Sequence, residues 1–198
     1  MAHEVNLALV GATGAVGQEM LKILEERNFP LKDLIAVADP REAGNVIKYK
    51  GNDFTVQAAS PEIFARADIA MLAVESNISK QLAPMAIENK CLVIDNSNAF
   101  RLDNNVPLIV PEVNPEDIEK HQGIIANPNC STIIMVVAIN PIHKAAGIKR
   151  VVVSTYQAVS GAGAAGIGEL TESVQAYHDG IKKEPKVFQH PIGFNVIP

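Results

Sequence analysis

Apolar residues along this chain fall into two rhythms. Four short, nearly unbroken apolar runs, VNLALVG (Val5–Gly11), LIAVAD (Leu34–Asp39), DIAMLAV (Asp68–Val74) and CLVIDNS (Cys91–Ser97), are separated by segments in which apolar residues recur at helical spacing. A strand wetted on one face alternates apolar and polar side chains, so a continuous run implies cover on both faces, as in a parallel sheet between helices. After the first run, AVGQEMLKILEER sets Val16, Met20, Leu21 and Leu24 on one helical face. SKQLAPMAIENK reads as a second, less regular helix with Pro84 near its start. Alternating strands and helices predict an α/β fold built on a Rossmann-type, doubly wound, mostly parallel sheet. RLDNNVPLIVPEVNPED, rich in Pro, Asn and Asp, reads as a loop crossing or a boundary, and the first domain is expected to occupy residues 1–129.

Composition narrows the setting. With 198 residues and 47% hydrophobic content, the chain can bury a sizeable core in one domain or a small two-domain body. Its two cysteines, far apart in sequence, give no disulfide framework. The opening MAHEVNLALVGATG lacks the basic start and small-residue cleavage tail of a secretion signal, which makes the cytoplasm the expected location. No apolar run has the length of a membrane span. A net charge of -5 argues against nucleic acid or an anionic membrane as the main partner. A small anionic substrate would then need a local positive site, and no metal site is expected.

Chemistry concentrates at the ends of the apolar runs. GATGAVG, directly after the first one, spaces Gly11, Gly14 and Gly17 three apart before a helix. Glycines permit a tight turn and let a pyrophosphate approach the backbone, while the helix N-terminus presents N–H groups to it. The spacing departs from GxGxxG, and Thr13 can offer a hydroxyl to a phosphate. The second run ends in Asp39, followed by Arg41 and Glu42. An acidic residue here accepts from the adenosine ribose of NAD, whereas an arginine accommodates the extra phosphate of NADP, and this chain carries both.

Of the two cysteines, Cys91 lies within a β-rich apolar run, where an inert buried thiol is expected. Cys130, in NPNCST, stands where a loop turns into a helix, with Asn129 or Ser131 available as cap. A helix N-terminus favours the thiolate, which is the nucleophilic form; the competing reading is a packed thiol. The helix that follows is apolar nearly all round and is expected to anchor Cys130 on a buried element until Pro141 kinks or ends it.

GATGAVG, DNSNAFR, VPLIVPEVN, NPNCST and STYQAVSGAG, in this order, resemble the aspartate-semialdehyde dehydrogenase family across nearly the whole chain. NPNCST together with TYQAVSGAG is the specific part; the glycine motif is shared with many reductases. The resemblance implies NADPH-dependent conversion of aspartyl β-phosphate to aspartate β-semialdehyde and phosphate, a step towards lysine, threonine and methionine, in a homodimer. It implies that Cys130 forms a thioacyl enzyme, that Gln157 orients the substrate, and that Arg101, with Asn129 nearby, serves the phosphate. Gly11, Thr13, Gly14, Ala15, Val16 and Gly17, then Arg41 and Glu42, then Ser160 and Gly161, align with segments that line the cofactor. Residues 130–198 would be the first part of a mixed α/β catalytic and dimerisation domain.

The related N-acetyl-glutamyl-phosphate reductases share this plan but resemble NPGCY where this chain has Asn129-Cys130-Ser131, and they form the alternative. A truncated, non-catalytic paralogue that binds nucleotide or pairs with a longer subunit is a second alternative. Two departures from the family pattern stand out. Asp39 and Glu42 replace small hydroxyl residues and would repel a 2′-phosphate, which brings in NAD beside NADP as cofactor. The chain also stops at HPIGFNVIP, before the positions of the family's histidine base and substrate-carboxylate arginine. None of His3, His121, His143, His178 and His190 matches the base's motif, so residues 1–198 alone are expected to be inactive.

Overall fold

Two continuous hydrophobic layers sandwich one parallel sheet in the computed structural model, which describes residues 4–198. In chain order its strands and helices are β1 (Val5–Val10), α1 (Ala15–Glu26), β2 (Leu31–Ala38), β3 (Val46–Tyr49), β4 (Asn52–Thr55), β5 (Gln57–Ala58), α2 (Pro61–Phe64), β6 (Ile69–Leu72), α3 (Ser76–Glu88), β7 (Leu92–Asp95), β8 (Ile124–Ala126), α4 (Cys130–Ala146) and α5 (Gly163–His178). The six-stranded sheet has the order β5-β2-β1-β6-β7-β8, and every pairing in it is parallel. The chain works outward from β1 in one direction, then returns to add β6 on its other side. That reversal leaves a crevice beyond the carboxyl ends of β1 and β6, where dinucleotides bind in doubly wound sheets.

The unbroken apolar runs now have a physical reason. Along β1, Ala8 and Val10 face one layer with Val37, Leu72, Val93 and Phe64, while Leu7 and Leu9 face the other with Leu21, Ala36 and Ile47. Both sets are buried, and each fully buried Leu or Val contributes on the order of 1.5–3 kcal/mol relative to exposure. A hairpin of β3 and β4 completes the second layer through Ile47 and Tyr49, turning at Lys50 and Gly51, both at positive φ.

Two proline expectations are corrected. Pro84 lies well inside α3, not near its start, because the helix already begins at Ser76. Pro141 does not end α4, which continues to Ala146 and stops at Gly147, φ 69°, whose N–H bonds the carbonyl of His143. A third correction concerns burial: no residue of α4 is buried, and Ile134 and Ile142 are 72% and 58% exposed. The apolar composition of this helix thus does not place Cys130 on a buried element.

The chain divides into two compact units, the first ending at Val152 and the second spanning Val153–Pro198. The second consists of a 3-10 turn (Val159–Ala162), α5 and a trailing segment that folds back on α5. Glu169 accepts backbone N–H groups of Lys186, Val187 and Phe188, Ser173 accepts from Gly193, and the Tyr177 and Phe194 rings lie 4.9 Å apart. Among the described residues this unit contains no strand. No helix of the described residues is long and apolar enough to cross a membrane.

Candidate active site

The loop after β1 is shaped by its glycines. Gly11 has φ 85°, and a Cβ there would come within 2.3 Å of the Ala73 carbonyl at the end of β6. At Gly17 a Cβ would meet the Gly11 carbonyl at 2.1 Å, so the first turn of α1 packs directly onto the loop. Gly14 is the N-cap of α1, and its side offers no blocking side chain; Ala15 and Val16 begin the helix. A close backbone turn running into a helix N-terminus is a cradle that accepts a pyrophosphate. The residues present therefore fit a dinucleotide.

The turn after β2 closes on this loop. Thr13 donates its hydroxyl proton to the Glu42 carboxylate at 2.5 Å, joining residues from the two loops. Beside it, Arg41 grips Asp39 with two parallel bonds, Nε to Oδ1 at 2.8 Å and Nη2 to Oδ2 at 2.9 Å, and its backbone N–H adds a third. These bonds from Arg41 hold the Asp39 carboxyl down to about 2. Thr13, Arg41 and Glu42, all singled out from the sequence, thus meet at one place, and the Thr13 hydroxyl is already engaged there.

Further along the sheet edge, Arg101 is fixed by two backbone carbonyls. Its Nε donates to Asn127 at 2.9 Å and its Nη2 to Asn96 at 3.0 Å, which uses two of a guanidinium's five N–H donors. Asn127 opens the NPNCST loop. Its backbone N–H bonds the Asp95 carbonyl at 2.8 Å and its side-chain amide bonds Asn96 Oδ1 at 2.6 Å. Asp95 itself is fully buried, accepting from Ser79 and Ser97 hydroxyls at 2.7 Å each. Neither Asn96, Asn127 nor the Asp95 cluster was singled out in sequence; the only available signal was an acid ending an otherwise apolar strand.

Of the two cap candidates, Asn129 serves: it is the N-cap of α4 and accepts the Thr132 N–H at 3.2 Å. Cys130 is the first residue of that helix and is exposed. Cys91 is its opposite, 1% exposed, with burial pushing its thiol up to about 11. The structure therefore ties Arg101 to the loop that carries Asn129 and Cys130.

Gln157, Ser160 and Gly161 belong to the second unit. There the Gln157 amide lies over Gly161, where a Cβ would approach its Nε2 at 2.1 Å. Gln157, Val159, Gly161, Phe188 and Ile192 line a recess of about 330 Å³. Of the histidines, His121 and His143 each accept a backbone N–H at Nδ1, from Gly123 and Ile148. His3 lies outside the described residues. Among the described residues no group of His, Cys, Asp and Glu is arranged to hold a metal ion.

Comparison with known proteins agrees with this architecture. The family model described as semialdehyde dehydrogenase, NAD binding domain, matches residues 6–121, and semialdehyde dehydrogenase, dimerisation domain, matches residues 139–198. An aspartate-semialdehyde dehydrogenase of Bacillus subtilis is 49% identical over 205 residues, covering 100% of this chain and 59% of that protein. One from Aquifex aeolicus is 53% identical over 197 residues, covering 97% of this chain and 58% of its own length. The crystal structure of aspartate semialdehyde dehydrogenase II complexed with ASA from Vibrio cholerae superposes with a TM-score of 0.94 at 43% identity, over 98% of this chain and 58% of that one. The chain thus spans somewhat under 60% of the length of these relatives.

Proposed function

Because this chain belongs to the semialdehyde dehydrogenase family, we propose that it forms the nucleotide-binding and nucleophile-bearing part of an aspartate-semialdehyde dehydrogenase. The reaction is the interconversion of aspartyl β-phosphate and aspartate β-semialdehyde, an oxidoreductase step in amino-acid biosynthesis, in the cytoplasm and in a homodimer. Residues 1–129 are the dinucleotide domain and residues 130–198 the beginning of the catalytic and dimerisation domain in this reading.

The observation that carries it is the placement of an exposed Cys130 at the first position of α4, on a loop that Arg101 grips through the Asn127 carbonyl. A thiolate there attacks the acyl carbon, the acyl–phosphate bond breaks, and phosphate departs with the electron pair, leaving a thioester on Cys130. The three N–H donors that Arg101 does not spend on carbonyls suit the departing phosphate by charge and by geometry. Asn129 holds the helix start. When bound, a nicotinamide dinucleotide, NADPH by family resemblance, would supply the hydride that reduces the thioester. Gly11, Gly14 and Gly17 would cradle its pyrophosphate, with Thr13, Ala15, Val16, Arg41 and Glu42 beside it.

The test is turnover of aspartate semialdehyde with phosphate and NADP or NAD, read as absorbance of the reduced cofactor, in a protein that contains this chain and the remaining length of its relatives. Activity abolished by Cys130→Ser is expected. Undiminished turnover in that variant would refute the proposal. The 198-residue chain alone is expected to be inactive.

A further inference from the structure

Thr13 and Glu42 sit on different loops, and their hydrogen bond makes a feature that neither loop has by itself. A hydroxyl has one proton to donate, and Thr13 gives it to the Glu42 carboxylate. Phosphate oxygens accept hydrogen bonds, so Thr13 has nothing to donate to a phosphate while Glu42 holds it. The neighbouring cation is similarly committed. Arg41 places two guanidinium N–H groups and its backbone N–H on Asp39, so the two charges of that pair balance. Glu42 adds a second carboxylate whose charge Arg41 also feels, so the turn as a whole keeps one net negative charge.

We propose that Glu42 is a specificity-determining residue which, bonded to Thr13 beside the Asp39–Arg41 pair, makes this site prefer the dinucleotide with a free 2′-hydroxyl, NAD, over the 2′-phosphorylated NADP. This rests on the dinucleotide reading of the glycine loop and narrows it. A ribose hydroxyl can donate to carboxylates at the end of β2, which favours NAD. A 2′-phosphate brings about two negative charges to the same turn. At a separation of about 6 Å in a water-like dielectric, repulsion from one carboxylate amounts to roughly a tenfold loss of affinity. Asp39 adds to the effect by keeping Arg41 occupied, and its depressed carboxyl stays ionised throughout the neutral range.

Isothermal titration of the 198-residue chain with NAD and with NADP tests this directly. The expected result is NAD binding about tenfold tighter than NADP at low salt. Glu42→Gln keeps an acceptor for Thr13 but removes the charge, and it should shift the ratio of the two affinities towards NADP by about three- to tenfold; Asp39→Asn should shift it in the same direction. Raising salt to about 0.5 M should also narrow the ratio, because repulsion between exposed charges is screened. Equal or tighter binding of NADP by the parent overturns the inference while leaving the dinucleotide site intact. A ratio that Glu42→Gln leaves unmoved overturns it as well. Binding of neither cofactor overturns the underlying reading of the loop, and this inference with it.

Discussion

The side-chain amide of Asn127 donates to the side-chain carbonyl of Asn96 at 2.6 Å, joining the segments that leave β7 and β8. The same two residues offer their backbone carbonyls to one guanidinium, that of Arg101. The Arg101 cation is thereby held on the loop that leads into Cys130, and its position depends on neighbours remote in sequence. The buried Asp95 fixes the base of this arrangement, since it bonds two serine hydroxyls and its carbonyl takes the Asn127 N–H.

If that side-chain bond ties the two segments, removing either partner should cost about as much as removing both. Asn127→Ala leaves Asn96 Oδ1 without its donor, a loss on the order of 1–2 kcal/mol. For a chain of this size that is a fall in Tm of roughly 3–6 °C. Asn96→Ala should cost a similar amount, and the double variant should add less than about 0.5 kcal/mol to either single one. Thermal or urea unfolding of the four proteins checks this. Fully additive losses would mean that the two asparagines act separately.

The cysteines should differ sharply in reactivity. Cys91 is buried with its thiol raised to about 11, so at pH 7.5 its thiolate fraction falls below about one in a thousand. Cys130 is exposed at the start of α4. Limiting iodoacetamide on the folded chain should therefore label Cys130 at least about 100-fold faster than Cys91, as read by peptide mapping over time. Preferential labelling of Cys91 would contradict both the burial and the assignment of the nucleophile.

Much of this layout is readable from local pattern, because burial on both faces leaves a continuous apolar run. The runs at Val5, Leu34, Asp68 and Cys91 each fall on a strand of the sheet, and in α1 Met20, Leu21 and Leu24 pack on the core while Val16 stays exposed. Shorter elements gave no such signal. β8 has three residues, and the hairpin of β3 and β4 takes its form from the Lys50-Gly51 turn. Helix α4 misled for another reason: an apolar composition says which residues favour burial, not what covers them, and Ile134 and Ile142 remain exposed. The anchoring of Arg101 is a matter of long-range carbonyl contacts, to Asn96 and Asn127, which spacing along the chain does not encode. Thr13 and Glu42 were each assigned to the cofactor from sequence, but their mutual bond, which decides what Thr13 can donate, emerged only from the fold.

Within the second unit, Glu169 should act as an acid-sensitive latch. Burial raises its carboxyl, but backbone N–H groups of Val187, Lys186 and Phe188, with the charge of Lys183, more than offset this and bring it below its ordinary value. A carboxyl lowered in the folded state stabilises that state above the unfolded-state value, about 4.3, and the contribution is lost as pH falls through the lower folded value. The attachment of residues 186–188 to α5 should therefore be intact at pH 6 and weaken progressively below about 4.3. Hydrogen exchange of the Lys186, Val187 and Phe188 amides, corrected for intrinsic rates, should lose protection as pH falls below about 4.3 while the amides of β1 keep theirs. Glu169→Gln removes the charge and should be less protected at pH 6 than the parent, with little further change on acidification. Protection that stays level in the parent across this range, or that matches the parent in Glu169→Gln at pH 6, would rule out charge on Glu169 as what holds the trailing segment.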